Sequence, residues 1–296
     1  MVKYYRTTEA VQQQPQTVKR SPLNFKAMKL HQSPLQIFCG SKTPVGLYAR
    51  KKWLGEAESP AWHADFKESV EMLFADQISN GSWQQYPIAT IIHLFGLHLT
   101  IRETNSRIDA ALDWLLGKIQ LSPQGICVQT DSDISRADLS GLPFVLSRSE
   151  MLYTGATLFL SSIFNRQNDP TILAIYQWLN KEGLTIENLS ADVVSMHNIF
   201  RSLVVHPVFA NADLTVKTVE IYGGLQTEKG DWDSNLPFYQ TLNALGHLNS
   251  SQAEVQLERA FTRLIKTQNS DGTWGSRDLE WNTFLSIHAL KNKDLL

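Results

Sequence analysis

The positions in this chain that could do chemistry are acids, and one basic cluster, set at the ends of apolar runs. Glu150, in SRSEMLYTGATLFL, and Glu280, in DLEWNTF, each stand where an apolar helix begins. An ionised carboxylate is costly there unless it is paired. Each is therefore either an acid with a raised pKa facing a cavity or half of an ion pair between helices. Arg148 lies two residues from Glu150 and would point to another side of the helix, so a partner for Glu150 must come from elsewhere. Asp131 and Asp133, in DSDI, sit one residue apart in a turn-rich segment, a pattern also common in solvated Asx turns. SMHNIFRSLVVHP places His197 and Arg201 on one helix face with Asn198 adjacent. An arginine inside an apolar helix calls for an anion: Glu150, Asp133 or the diphosphate of a substrate.

Aromatic side chains accompany these groups. The chain has 8 Trp, 8 Tyr and 13 Phe. Phe95, Tyr153, Tyr239 and Trp281, with Tyr48, Phe159 and Phe284, fall on or near apolar helical stretches, as cavity lining or as core.

The elements that must position these groups are helices. Apolar patterns occur near 43–54, 87–101, 147–165, 190–206, 236–248 and 279–292, and amphipathic ones near 62–78, 106–120, 169–183, 212–223 and 251–268. The two kinds alternate. Asp169-Pro170 and Ser250-Ser251 are start signals and Gly183 a stop. Six apolar helices alternating with five amphipathic ones predict an all-α fold, an α/α toroid of about six hairpins with the apolar ring inside. No run alternates as a strand would. The segment 121–146 reads as a long connection, and connections of that length usually have a function.

A turn recurs three times between the helices. Its landmarks are Gln77, Gly81, Trp83 and Thr90; Gln226, Gly230, Trp232 and Thr241; and Gln268, Gly272, Trp274 and Thr283. The following helix holds a histidine each time (His93, His247, His288), at drifting spacing. Glycine supplies positive φ, Asp or Asn bonds the local backbone, Trp covers a helix end and the Gln amide caps free backbone groups. The turn is thus expected to be structural.

The chain's 296 residues are 43% hydrophobic and 19% charged, with a net charge of -2 and a pI near 6.4. That is ample for a sizeable core and gives no footprint for nucleic acid. Two cysteines, Cys39 and Cys127, make no disulfide framework and no metal-ligand spacing, so a cytoplasmic setting is expected. The N-terminus lacks the apolar run of a signal peptide, and no segment reads as a membrane span. Residues 1–40 are expected to form a partly ordered arm and 41–296 a single toroid domain, with peripheral membrane contact and oligomeric state left open.

QNSDGTWG resembles the Gln-Trp repeat of squalene-hopene and oxidosqualene cyclases and of related terpene-cyclase domains. GGLQTEKGDWDSNLPFYQTLNALGHL also resembles the repeat of protein prenyltransferase beta subunits. Both families are α/α toroids, and the resemblance implies a hydrophobic isoprenoid bound in the central cavity. A cyclase of this kind protonates an alkene with a carboxylic acid and stabilises carbocations with aromatic faces. Its Asp-x-Asp-Asp signature has the middle Asp as donor. DSDI keeps Asp131 and Asp133 but has Ile134 in the last place, so the carry-over makes Asp133 the donor beside Asp131. Glu150 and Glu280 are the further acid candidates. Tyr153, His197, Arg201, Tyr239, Trp281 and Phe95 are the candidate substrate contacts. The prenyltransferase zinc site is not reproduced: Gln240 follows Tyr239 where the ligand His would stand, and no Cys accompanies RDLEWN. No cofactor is expected, except Mg if a diphosphate is recognised. The competing expectations are a non-catalytic toroid that binds an isoprenoid, lipid or protein, and a carbohydrate-active toroid with two opposed carboxylates.

Overall fold

A computed structural model of the chain describes residues 29–122, 125–129, 134, 137–183, 191–233 and 235–296. Eleven α-helices lie among them: α1 (Pro44–Lys52), α2 (Pro60–Phe74), α3 (Pro87–Thr100), α4 (Ser106–Leu116), α5 (Ser149–Ile163), α6 (Pro170–Trp178), α7 (Val193–Leu203), α8 (Asp213–Leu225), α9 (Phe238–Gly246), α10 (Ser251–Lys266) and α11 (Leu279–Asn292). Proline opens α1, α2, α3 and α6, where its missing N–H costs nothing. Thr43, Asn105, Asp169, Asp192 and Ser250 accept hydrogen bonds from first-turn N–H groups of the helices they precede.

The odd-numbered helices touch in sequence, α1 to α3, α5, α7, α9 and α11, and α11 returns to α1. This closed inner ring is wrapped by the even-numbered helices: α2 lies on α1 and α3, α4 on α3 and α5, α8 on α7, and α10 on α8 and α9. The fold is an all-α, α/α toroid. Inner helices are apolar on most sides because they meet an outer helix, two ring neighbours and the centre.

The long connection departs from the expected pure loop. Ile119–Ser122 pairs antiparallel with Gly125–Val128, with Ile119 opposite Val128. Strands of four residues complete too few alternations to stand out in sequence. Farther on, Leu142 and Phe144 are buried, and Asn198 of α7 clamps Val145: its Oδ1 accepts from Val145 N and its Nδ2 donates to Val145 O, each at 2.9 Å. The connection is thereby fastened against the inner ring.

Each recurring turn forms a bridge between its Gln and its Trp. The Gln Nε2 donates inward, from Gln77 to Gly81 O at 2.8 Å and from Gln268 to Gly272 O at 2.9 Å. It also reaches the next outer element. Gln77 bonds Arg107 O of α4 and Gln226 bonds Gln256 O of α10, both at 2.8 Å. Gln268 of the third turn instead bonds Gln32 O at 3.0 Å while its Oε1 accepts from His31 N at 2.8 Å. The segment before α1 thus takes the place of a sixth outer element.

The glycine follows the same logic. Gly81 has φ +91 and Gly272 φ +87, and a Cβ on either would lie 2.4 Å from backbone, of Ala110 in α4 or of Ser33 in the arm. Only glycine fits both the angle and the approach. Trp83 and Trp274 donate Nε1 to Ala75 O and Leu264 O at the ends of the preceding outer helices, at 2.8 and 2.7 Å. Their backbone N–H groups reach Thr90 and Thr283 Oγ1, each at 3.2 Å. One prediction follows for the seam. Gln268→Ala removes the bonds to His31 and Gln32 and should destabilise the protein by about 1–2 kcal/mol. Limited proteolysis should cut before Phe38 faster than in the wild type; unchanged cleavage would dismiss the seam.

Candidate functional site

At the centre of the ring lies a cavity of about 310 Å³, at the small end for a ligand site. Its aromatic wall is continuous. Tyr48 and Phe284 rings lie 5.4 Å apart, Phe284 and Trp281 5.5 Å, Trp281 and Phe95 5.8 Å, and Phe95 and Phe159 6.2 Å. Pro143 of the long connection completes the lining. A second cavity, of about 520 Å³, shares Phe95, Leu99 and Trp281 with the first and continues past Gly96, Leu142 and Glu280.

The polar part of the central wall is cationic or neutral. Arg201 of α7 is 3% exposed and donates from Nη1 to Asn243 Oδ1 at 3.0 Å. Asn243 Nδ2 in turn faces Leu285 O and His288 Nδ1, both at 3.3 Å. The His247 and His288 rings are 5.4 Å apart. Arg102 stands exposed at the rim, its guanidinium 5.4 Å from the centre of the Tyr48 ring. Burial pulls the Arg201 guanidinium down to about 9, still protonated at neutral pH. Burial pushes His98 down to about 3, helped by the charge of Arg102, and His288 down to about 4, helped by Arg201 and then Arg102. His247 is held well below the usual range by burial, then by His288 and Arg201. These imidazoles are neutral donors or acceptors in the cavity lining. Among the described residues no carboxylate lines this cavity, and no group of three or more His, Cys, Asp or Glu side chains could hold a metal ion.

Of the positions singled out in the sequence, Arg201 and the aromatics Tyr48, Phe95, Phe159, Trp281 and Phe284 meet in the central wall. Glu280 lines the second cavity, where Oε1 accepts from Ser41 Oγ at 2.5 Å and Oε2 from Thr43 Oγ1 at 2.9 Å. Thr43 caps α1, so Glu280 also ties the last inner helix to the first. Glu150 lies half-buried in the first turn of α5, outside both linings. His197 is fully buried on α7, its pKa pushed down to about 3 by burial and then by Arg201, and it does not reach the cavity. Tyr153 is buried on α5, and Tyr239 is half-buried at the start of α9 against Phe238 at 5.1 Å. Asp131 and Asp133 lie outside the described residues. Among the described residues, Arg201 has Asn243, not a carboxylate, as its bonded partner.

Sequence reasoning passed over Asn243, His98 and Arg102, and named His247 and His288 only as landmarks of the repeat. Their signal was faint: imidazoles inside otherwise apolar helices. Of the repeat's own histidines, His93 instead stacks on Trp83 at 4.7 Å and donates from Nδ1 to Leu73 O, 2.6 Å away.

No protein-family model matches the chain, and no curated protein does. Solved structures do. A protein from Actinoplanes shares 15% identity, covering 87% of this chain and 90% of its own, with a TM-score of 0.52. The type II terpene cyclase MstE from Scytonema, as an arginine-to-alanine variant with its substrate geranylgeranyl dihydroxybenzoate, shares 14% identity over 86% of this chain and 87% of its own, with a TM-score of 0.53. A second MstE variant, with its product merosterolic acid A, shares 12% over 86% and 87%, at 0.52. At these identities the likeness defines a class by fold, the toroid that terpene cyclases use. No described helix is long and apolar enough to cross a membrane.

Proposed function

We propose that the protein is a terpene cyclase-like enzyme that folds an isoprenoid chain in the central cavity, where a carboxylic acid protonates an alkene. The observation that carries this reading is the unbroken aromatic wall from Tyr48 through Phe284, Trp281 and Phe95 to Phe159. Such faces stabilise a positive carbon by about 0.5–2 kcal/mol each when water is excluded. The proton donor in this reading is Asp133, with Asp131 beside it. Glu280, next to Trp281 at the second cavity, is the alternative donor. The solved cyclase complexes with an isoprenoid substrate and product support a chain-binding role for this cavity.

The non-catalytic reading has one observation in its favour: no described carboxylate lines the central cavity. The carbohydrate reading has none, since no two described carboxylates face each other across that space. Incubation separates them. Purified protein is mixed with geranylgeranyl diphosphate, squalene or geranylgeranyl dihydroxybenzoate, and the extracts are analysed for cyclic products. A new product that Asp133→Asn or Glu280→Gln reduces by about 100-fold or more supports the enzyme and names its acid. Saturable binding with no product supports the carrier. Neither product nor binding overturns both.

A further inference from the structure

Among the described residues, Arg201 has no anionic neighbour. Its side chain lies in the cavity wall, Nη1 is bonded to the neutral Asn243, and Nε has no hydrogen-bond partner. The titratable groups that face it are Tyr222 from α8, His197 on its own helix, His247 beyond α9 and His288 from α11. None is an anion at neutral pH: burial raises the Tyr222 hydroxyl far above its ordinary range, and burial lowers the three imidazoles. A guanidinium enclosed by protein, with no counter-charge among the described residues, is a strong demand for an anion.

Two further buried nitrogens in the same wall lack partners, His98 Nδ1 and Trp281 Nε1. Apart from Arg102 at the rim and the imidazoles of His247 and His288, the rest of the lining is apolar or aromatic, including Leu99, Ile163 and Val204. The space is therefore amphiphilic, with one enclosed positive charge and unspent nitrogens set in an apolar chamber.

Resting on the reading that this cavity receives an isoprenoid-like chain, we propose that its ligand carries a carboxylate head group, held by the Arg201 guanidinium beside Asn243, with the chain against the aromatic wall. A planar fork meets a carboxylate with two parallel bonds, Nε being one of the two donors. The charge balance selects a monoanion. The lining has one enclosed guanidinium and one at the rim, with no lysine. Among the described residues no acidic cluster is present to bring a divalent cation to a diphosphate. A carboxylate-headed chain can come from an isoprenoid acid or from a fatty acid, and the chemistry at Arg201 is the same for both.

The test uses the full chain and calorimetric titration with four probes: farnesoic acid, farnesol, farnesyl diphosphate and hexadecanoic acid. Farnesoic acid is expected to bind roughly tenfold or more tighter than farnesol. In Arg201→Met the two should converge, with farnesol changed by no more than about twofold. Arg201→Lys, which keeps the charge but loses the fork, should retain part of the preference. The comparison of acid with alcohol on the wild type stands even if a variant fails to fold. Equal binding of acid and alcohol overturns this inference while leaving the chain-binding cavity intact, as does tighter binding of the diphosphate. No binding of any probe overturns the cavity reading itself. Hexadecanoic acid binding as well as farnesoic acid identifies the source as fatty acids, and weaker binding identifies isoprenoid acids; either keeps the carboxylate.

Discussion

Lowering the pH from 7 toward 4 should unfold this protein steeply, and its buried histidines are the reason. His98 and His197 are held at about 3 and His288 at about 4, while histidine in an unfolded chain titrates near 6.5. Between about pH 6.5 and 4 the unfolded chain takes up protons that the native state refuses. Stability therefore falls as pH falls, by up to about 1.4 kcal/mol per pH unit for each histidine. His197 is the firmest contributor because it is enclosed on every side, whereas His98 and His288 border the cavity. Three such groups acting together would use up an ordinary folding stability of about 5–15 kcal/mol within a few pH units. The carboxylates with lowered pKa, such as Asp65 bonded to Arg50 and Lys42, lose their contribution only below the usual carboxylate range. Thermal unfolding followed at pH 7, 6, 5 and 4.5 tests this. His197→Gln should flatten the slope, and a midpoint that stays level from pH 7 to 5 would refute the assignment.

The second large effect belongs to the turn. Trp274 is completely buried, its Nε1 tied to Leu264 O of α10 and its backbone N–H to Thr283 at the start of α11. Trp274→Ala should cost about 3–5 kcal/mol, since removing a fully buried indole leaves a cavity and loses the Nε1 bond to Leu264 O. Urea denaturation gives the number. Trp232→Ala should cost less, because Trp232 keeps slight exposure and its Nε1 bonds the Gln256 side chain at 3.2 Å, a longer bond than that of Trp274. A loss below about 1 kcal/mol at Trp274 would show that the turn does not staple the ring.

Much of the architecture was readable in sequence because it is local. The six apolar and five amphipathic patterns became the inner and outer helices, each pattern covering or overlapping one observed helix. Periodicity records burial, and a helix enclosed on most sides must be apolar throughout. Gln-Gly-Trp-Thr was readable for the same reason: the φ of Gly272 and the reach of Gln268 to Gly272 are settled within a few residues. The hairpin after α4 was missed because four-residue strands carry too little pattern.

The candidate site was readable only in part. Phe95, Trp281 and Arg201 were found from their types, but Asn243, His247 and His288 were not assembled with them. On a helix each successive residue turns by about 100°, so which side chain faces the centre depends on how the whole helix is rotated by its neighbours. Arg201 and His197 show the consequence. They share a helix and stand four residues apart, yet only Arg201 reaches the cavity. The sequence by itself settled helix order, the inner and outer alternation and the stapling turns, because propensity, periodicity and turn chemistry are properties of short stretches. Tertiary structure alone decided that Arg201 meets Asn243, and that the segment before α1 closes the ring through Gln268. Those contacts join residues 42 and 236 positions apart, and no local rule reaches that far.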